Sequence, residues 1–245
     1  MRGLEPHELL AVWERGAPLS PAQRALLMLS AGREDQAARE AGGLSVGRRD
    51  SRLLSLRVAT FGSRMTGLAD CPVCATALEW SVDARDVGLS EDASPSSQPY
   101  TLRLGDWEVR FGLPTAQDLA DLPSGDGLEA NRRRLLGACV IEALKGGKPV
   151  DAQELPYEFQ SALSARMAEL DPQAEIHMAL HCPACGHDWM GVFDVATYLW
   201  AEMSVLAERL LREVHEMASA YGWSEADILA MRPGRREAYL EMIRQ

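Results

Sequence analysis

Apolar residues near the start of the chain recur every three to four positions, which predicts amphipathic helices. The first pattern covers residues 5–15. The second begins at Ser20-Pro21, where Ser20 is the predicted N-cap and Gln23 completes a capping box. The third covers residues 45–61 and has an arginine-rich polar side. We expect that side to face solvent, with the arginines Arg48, Arg49, Arg52 and Arg57.

The middle of the chain changes to the two-residue alternation of β-strands. Residues 77–83 alternate in this way, with Leu78, Trp80 and Val82 on one face. A hairpin is predicted from two such runs around Gly105-Asp106, since a two-residue loop of this type favours a tight turn. Two further strands are predicted at residues 175–181 and 188–195, and Thr66-Gly67 and Gly146-Gly147 are interpreted as turns.

Helical patterns return around and after these strands. Residues 128–144 and 155–170 each predict a helix, and residues 90–98 predict a mobile loop because they are rich in Ser, Pro and acids. Residues 198–220 predict one long helix that Gly222 ends. Two short C-terminal helices follow, and their predicted starts are Ser224 and Pro233.

Two Cys-x-x-Cys pairs stand out against this background, and they are Cys71, Cys74, Cys182 and Cys185. Four sulfur ligands fill the tetrahedral shell of a structural Zn²⁺, so we predict one closed site with a single ion. Redox and disulfide chemistry remain as alternatives. A catalytic zinc with His181 or His187 is disfavoured because four sulfurs leave no open position. Cys139 lies in an apolar pattern and is expected in the core.

These patterns predict an α+β fold that is mainly helical, with a small zinc-ribbon-like β subdomain assembled from the two distant cysteine pairs. Whether the N- and C-terminal helices share one core stays open. The predicted segments are residues 1–66 (N-terminal helices), 67–114 (first cysteine pair and β hairpin), 115–172 (helical insertion), 173–196 (second cysteine pair hairpin) and 197–245 (C-terminal helical tail).

The net charge and the distribution of apolar residues argue against nucleic-acid and membrane partners. The 245 residues carry 36 acidic and 25 basic side chains, a net charge of −11, which argues against nonspecific nucleic-acid binding. No apolar run approaches the roughly 18 residues needed to cross a bilayer, and residues 1–10 lack the features of a secretory signal. We therefore expect a cytoplasmic protein with no membrane partner.

The sequence lacks the motifs of several common enzyme classes. It contains no Gly-rich phosphate loop with Lys-Ser/Thr, no Gly-x-Ser-x-Gly, no His-Glu-x-x-His and no Gly-x-Gly-x-x-Gly after a strand. We expect neither an enzyme nor a small-molecule substrate.

The C-terminal run carries a family resemblance. Residues 213–229, which include Tyr221-Gly222-Trp223, and the following Arg235-Arg236-Glu237-Ala238-Tyr239-Leu240 resemble the tail of phage baseplate-hub assembly proteins of the T-even type. The opening Leu10-x-x-Trp13-Glu14-Arg15-Gly16, the motif Arg49-Asp50-x-Arg52-Leu53-Leu54 and both cysteine pairs resemble longer zinc-containing members encoded beside tail genes of phages and phage-derived contractile injection systems.

The resemblance implies a non-enzymatic baseplate or hub assembly protein of a contractile tail, either a chaperone or a retained component. Its partners would be baseplate or hub proteins. Its place would be the cytoplasm of a bacterial host, and incorporation into the assembled particle stays open.

A partner-binding surface is also predicted in the C-terminal run, because arginine and aromatic residues concentrate there and such residues are common interface hot spots. The alternative is that the aromatics are core residues and the arginines pair with the protein's own acids. The candidate residues are Tyr221, Trp223, Arg232, Arg235, Arg236 and Tyr239.

A zinc-ribbon adaptor for nucleic acid or the transcription machinery is the alternative function. Nucleic-acid ribbons surround their cysteines with Lys and Arg, whereas Asp70, Glu79, Asp83 and Asp188 lie near these. A metalloenzyme, the third possibility, would need an open coordination position.

Overall fold

The computed structural model describes residues 2–31, 40–87, 99–123 and 125–244. Its helices are α1 (Pro6–Gly16), α2 (Pro21–Ser30), α3 (Val46–Phe61), α4 (Ala116–Ala120), α5 (Leu128–Cys139), α6 (Tyr157–Leu170), α7 (Val195–Tyr221), α8 (Glu225–Leu229) and α9 (Pro233–Ile243). Its strands are β1 (Arg64–Asp70), β2 (Ala77–Asp83), β3 (Tyr100–Leu104), β4 (Trp107–Phe111), β5 (Val140–Lys145), β6 (Lys148–Pro149), β7 (Ile176–His181) and β8 (Asp188–Phe193). The mixture of helices and antiparallel sheets confirms the α+β prediction at the level of fold class.

The strands form two hairpins and one larger sheet. β1 pairs with β2 and β7 pairs with β8, each as an antiparallel hairpin. Between them in sequence, β3, β4, β5 and β6 form an antiparallel sheet in that order. This sheet joins residues on both sides of the predicted boundary between residues 114 and 115.

Helix starts follow the predicted capping chemistry. Ser20 accepts a hydrogen bond from the Gln23 backbone N–H, and Gln23 bonds back to the Ser20 N–H, so the predicted capping box is present. Ser224 caps α8 by accepting from the Asp227 N–H. Gly222 ends α7 with φ 68°, the left-handed conformation that a glycine adopts without strain.

The main core is formed by α1, α2, α3 and the N-terminal half of α7. Leu9, Met28, Leu53, Leu199 and Met203 are fully buried there. A second cluster lies between the four-stranded sheet and α6, and a third joins the end of α7 to α8 and α9. The N-terminal helices therefore share a core with the first part of α7, while the C-terminal helices pack on its far end.

The predicted helix over residues 128–144 is wrong in its last five residues. The helix ends at Cys139, and Val140–Lys145 is strand β5, which pairs with β4. Val109 and Phe111 of β4 are fully buried against this strand. The conformation of residues 140–144 thus depends on hydrogen bonds to β4, more than twenty residues away. The spacing of apolar residues within this segment gives no sign of that partner. Gly146-Gly147 is a turn, as predicted, between β5 and β6.

The prediction for Thr66-Gly67 is also wrong, because both residues lie within strand β1. A Cβ on Gly67 would come within 2.4 Å of the Trp80 ring across the hairpin, so only glycine lets the indole lie over the strand. β1 is the incoming strand of the first cysteine pair, which the sequence pattern did not reveal. The predicted loop at residues 90–98 lies outside the described residues.

Two arginines of α3 do not lie on a solvated face, which corrects the prediction for that helix. Arg57 forms a two-pronged ion pair with Glu202 of α7 and bonds to the Gly62 carbonyl. Arg49 is buried and donates to Asp50, whose pKa is raised by burial. Nearby, Asp171 accepts a hydrogen bond from the Gly47 N–H at 2.8 Å. Both arginines can face into the protein because each meets a carboxylate there. Arg57 meets Glu202 on another helix, and Arg49 meets the adjacent Asp50.

The Arg57–Glu202 pair should contribute to stability. Replacing Glu202 with alanine leaves a guanidinium whose side chain is only 3% exposed without its carboxylate. We expect a loss of about 2 kcal/mol in the free energy of unfolding, measured by urea denaturation, which is below the range for fully buried pairs because Glu202 is partly exposed. The control is Glu208→Ala on the same helix, since Glu208 and Arg212 are both exposed; its cost should stay within about 0.5 kcal/mol. Equal losses in the two variants would contradict this role.

Candidate metal centre

The two hairpins bring the four predicted cysteines into one cluster. All four Sγ atoms lie within 4.8 Å of one another. Two contacts cross between the hairpins: Cys71 Sγ lies 3.7 Å from Cys185 Sγ, and Cys74 Sγ lies 3.6 Å from Cys182 Sγ. The sequence separations of these pairs are 114 and 108 residues. The cluster could therefore hold one metal ion shared by distant parts of the chain.

The spacing of the sulfur atoms fits a tetrahedral ion. Four sulfurs at about 2.3 Å from a zinc ion stand about 3.8 Å apart along each edge of the tetrahedron. The distances of 3.7 and 3.6 Å between the hairpins are close to that edge length, and no pair of the four sulfurs is more than 4.8 Å apart. The cysteine side chains alone thus supply a closed four-ligand shell.

Both hairpins close with the same backbone turn. The Cys71 N–H donates to the Thr76 carbonyl, and the Ala75 N–H donates to the Cys71 carbonyl. In the second hairpin Cys182 bonds to His187 and Gly186 bonds to Cys182 in the same pattern. Ala75 has φ 56° and Gly186 has φ 73°, so the residue after each second cysteine is left-handed. The two turns are structural equivalents, and the first places a non-glycine residue in a strained conformation.

The thiols influence one another's ionisation. Hydrogen bonding by Thr76, aided by the Cys185 and Cys182 thiols, lowers the pKa of Cys74 to about 6. At Cys185 the His187 backbone N–H acts to lower the pKa, but the Cys74, Cys182 and Cys71 thiols and desolvation raise it to about 12. One sulfur thus loses its proton easily while a neighbour keeps its own, since adjacent thiolates repel. A bound dication would release the remaining protons.

The nearby histidines have other partners. His181 Nδ1 lies 2.7 Å from Asp188 Oδ1, and the His187 ring stacks on Trp189 with centroids 6.0 Å apart. Cys71 and Cys182 are buried, whereas Cys74 and Cys185 are exposed. Cys139 is buried at the end of α5, away from the cluster, and burial raises its pKa to about 12, as suits an unreactive core thiol.

Comparison with known families gives one result. The family described as "T4 bacteriophage base plate protein" matches residues 28–200. The chain belongs to this family. No curated protein and no solved structure matches it. The matched region of the baseplate protein contains all four cysteines and the Arg49-Asp50 motif, while the opening motif at residues 10–16 and the C-terminal run lie outside it.

Aromatic packing attaches the hairpins of this baseplate protein to α7. Trp80 of β2 packs edge-on to Phe193 at 5.7 Å, and Tyr198 contacts both rings. The Tyr198 hydroxyl donates to the Thr66 carbonyl at 2.9 Å and accepts from the Thr66 N–H at 3.1 Å. The N-terminal end of α7 therefore satisfies the outward-facing backbone groups of Thr66 on β1. The sequence pattern does not indicate this contact, because Tyr198 lies 132 positions from Thr66.

The predicted partner-binding residues lie at the other end of α7. Tyr221 stacks on Trp223 at 4.5 Å, Tyr239 meets Trp223 edge-on at 4.8 Å, and the Arg235 guanidinium lies 5.7 Å from the Tyr239 ring centre. Arg232 is exposed just before α9. Because α7 has 27 residues, this group is about 40 Å along the helix from the end that carries the hairpins.

Arg236 differs from its neighbours in the predicted surface. It is buried, donates to Glu213 of α7 at 2.8 Å and donates to the Met231 carbonyl at 2.7 Å. It therefore fixes α9 against α7 and is not exposed for a partner. None of the helices in the described residues has the length and apolar character to cross a membrane.

Loss of one cysteine ligand should abolish tight metal binding. For the Cys185→Ser variant we expect a metal content about tenfold lower than that of the wild type, and a lower melting temperature. Three thiolates hold the ion far less tightly than four. Cys139→Ser is the matched control, since Cys139 is outside the cluster, and its metal content should equal that of the wild type. Metal is measured by atomic emission on dialysed protein. Full metal content in Cys185→Ser would contradict the four-sulfur site.

Exchanging alanine and glycine in the two equivalent turns should change the free energy of unfolding in opposite directions. Gly186→Ala forces a Cβ into a left-handed turn and should destabilise the second hairpin by about 1 kcal/mol, although no atom obstructs the Cβ itself. Ala75→Gly removes the same strain from the first hairpin and should stabilise it by about 0.5 kcal/mol after the entropy cost of glycine. Urea denaturation of the metal-loaded protein measures both. Changes of the same sign would contradict the equivalence of the turns.

Proposed function

We propose that the protein is a non-enzymatic assembly protein of a contractile-tail baseplate or its hub, in which one structural zinc ion holds the two hairpins together. The observation that carries this proposal is the family match over residues 28–200 together with the four-cysteine cluster inside it. The family supports a structural role with other baseplate proteins as partners. The zinc and the assembly role are inferences beyond it.

Zinc is the metal that best fits the donor set. Four thiolates in tetrahedral arrangement are typical of structural zinc, and soft sulfur ligands disfavour Mg²⁺ and Ca²⁺. Iron–sulfur chemistry uses the same ligands, so the metal content decides between them. The fourth sulfur closes the shell, which leaves no position for a catalytic water. We therefore assign the ion a structural role and no part in a reaction.

A docking surface at the end of α7 supports a role in protein assembly. Tyr221 is exposed, Trp223 and Tyr239 are half-buried, and Arg232 and Arg235 are exposed beside them. Rigid aromatics next to arginine make frequent interface hot spots. The buried Arg236 holds α9 in place beneath the exposed residues by donating a hydrogen bond to Glu213 of α7. We propose that a partner with acidic groups docks here.

The nucleic-acid adaptor has less support. Around the hairpins, Asp83 pairs with Arg85 at 2.8 Å and Asp188 bonds to His181, while Asp70 and Glu79 are exposed. This acidic surrounding and the net charge of −11 disfavour a phosphate backbone. We infer that the protein acts in the host cytoplasm during tail assembly, either leaving as a chaperone or remaining in the particle.

Co-purification tests this proposal. We expect the tagged protein, expressed with the neighbouring tail genes, to recover baseplate or hub subunits, and the double variant Arg232→Glu/Arg235→Glu to recover about tenfold less, because both charges of the docking surface are reversed. The control is Arg133→Glu on α5, an exposed arginine away from that surface, which should bind normally. Mass spectrometry of finished particles then separates a retained component from a chaperone that leaves. Recovery of nucleic acid or RNA polymerase without tail subunits would contradict the proposal.

A further inference from the structure

A groove lies between the two hairpins, on the edges that face away from their own partner strands. Its volume is about 540 Å³, and its lining comes from β2 and the turn after it, and from β7 and the residues just before it. No residue of β1 or β8 lines it. Within the part of the chain that the structure describes, neither β2 nor β7 pairs with a second strand. The groove is therefore bordered by two open strand edges.

The hairpin registers identify which backbone groups point into these edges. In an antiparallel pair, hydrogen-bonded and non-hydrogen-bonded residue pairs alternate. The Cys182 N–H bonds to the His187 carbonyl, so counting back along the register makes Ala179 and Met190 a non-hydrogen-bonded pair, as are His177 and Val192. The backbone groups of Ala179 and His177 therefore point away from β8, toward the groove that both residues line.

The first hairpin follows the same rule. The Cys71 N–H bonds to the Thr76 carbonyl, and the alternation makes Thr66 and Ser81 a non-hydrogen-bonded pair. The Thr66 edge groups bond to the Tyr198 hydroxyl, which confirms this assignment independently. Ser81, on the other edge, lines the groove. On one outer edge of the hairpin the backbone groups of Thr66 are thus bonded to α7, and on the other edge the N–H and C=O groups of Ser81 face the groove.

The dimensions and charge of the groove indicate what it can take. One residue of a strand occupies about 160 Å³, from a rise of about 3.3 Å, a strand spacing of about 4.8 Å and a sheet spacing of about 10 Å, so the groove takes about three residues. Trp80, Val82, Ile176 and Met178 supply apolar walls. Among the described residues that line the groove, Asp86 and Glu175 carry carboxylates and none is a lysine or an arginine.

We propose that this groove binds an extended segment of another baseplate protein, in which apolar side chains alternate with basic ones. The segment pairs as a short strand with the open edges of β2 and β7, its apolar side chains meet the walls, and its basic side chains meet Asp86 and Glu175. The class of partner rests on the proposed function. The groove itself can be tested without any tail component.

The probe is a fluorescein-labelled eight-residue peptide of alternating valine and lysine, titrated with the metal-loaded full-length protein and followed by fluorescence anisotropy. We expect saturable binding that falls about tenfold or more in Ala179→Pro, because proline removes an edge N–H and blocks strand pairing. Met190→Pro is the matched control. Met190 is the cross-strand partner of Ala179, and the Met190 N–H points to the opposite edge of the same hairpin. Its affinity should stay within about twofold of wild type.

Two further measurements keep the outcome decisive if Ala179→Pro does not fold, which metal content and circular dichroism will show. The same peptide with alternate backbone nitrogens methylated should bind the wild-type protein about tenfold more weakly, because it lacks the donors for edge pairing. A valine–glutamate peptide should also bind about tenfold more weakly, because its charges repel Asp86 and Glu175. Absence of saturable binding, or unchanged affinity of the methylated peptide, would overturn the proposal. If only the co-purification fails, the partner is not a baseplate protein, but the proposal that the groove binds an extended peptide still stands.

Discussion

The cluster of four cysteine sulfurs joins the two hairpins, and we infer that the arrangement of both hairpins depends on it. Isolated two-stranded hairpins are marginal in water, and within the described residues neither hairpin pairs with a further strand. Bringing Cys74 to Cys182 closes a span of 108 residues, and the entropy cost of closing such a loop grows only slowly with its length. A bound ion would repay that cost, since a metal that binds only the folded arrangement adds its binding free energy to folding. The Trp80, Phe193 and Tyr198 rings then hold the base of the hairpins to α7.

Helix α7 connects the two regions that carry the proposed function. Its first turns contact both hairpins through Tyr198, its middle pairs with α3 through Glu202 and Arg57, and its last turns hold α9 through Glu213 and Arg236. The family match ends near the start of this helix, at residue 200. The cysteine cluster thus belongs to the matched part of the baseplate protein, and the aromatic and arginine surface belongs to the part beyond it.

Features set by local chemistry could be predicted from the sequence. The Ser20 and Ser224 caps, the Gly222 stop and the four-cysteine set depend on residue types at short spacing, and the structure contains all of them. Features that depend on distant partners could not. Strand β5 needs β4 beside it, Arg57 is buried only because Glu202 meets it from α7, and β1 contains a glycine that only the indole of Trp80 explains. The burial of Arg236 belongs to the same group, since Glu213 lies 23 residues away.

Hydrogen exchange of the metal-loaded and chelator-treated protein tests most directly whether one ion joins the two hairpins. We expect amides of β1, β2, β7 and β8 to lose protection together on metal removal, while α8, α9 and the end of α7 keep theirs, because the C-terminal cluster has its own apolar contacts. Loss of protection in only one hairpin, or no change in either, would contradict a shared metal centre as the constraint that organises this baseplate protein.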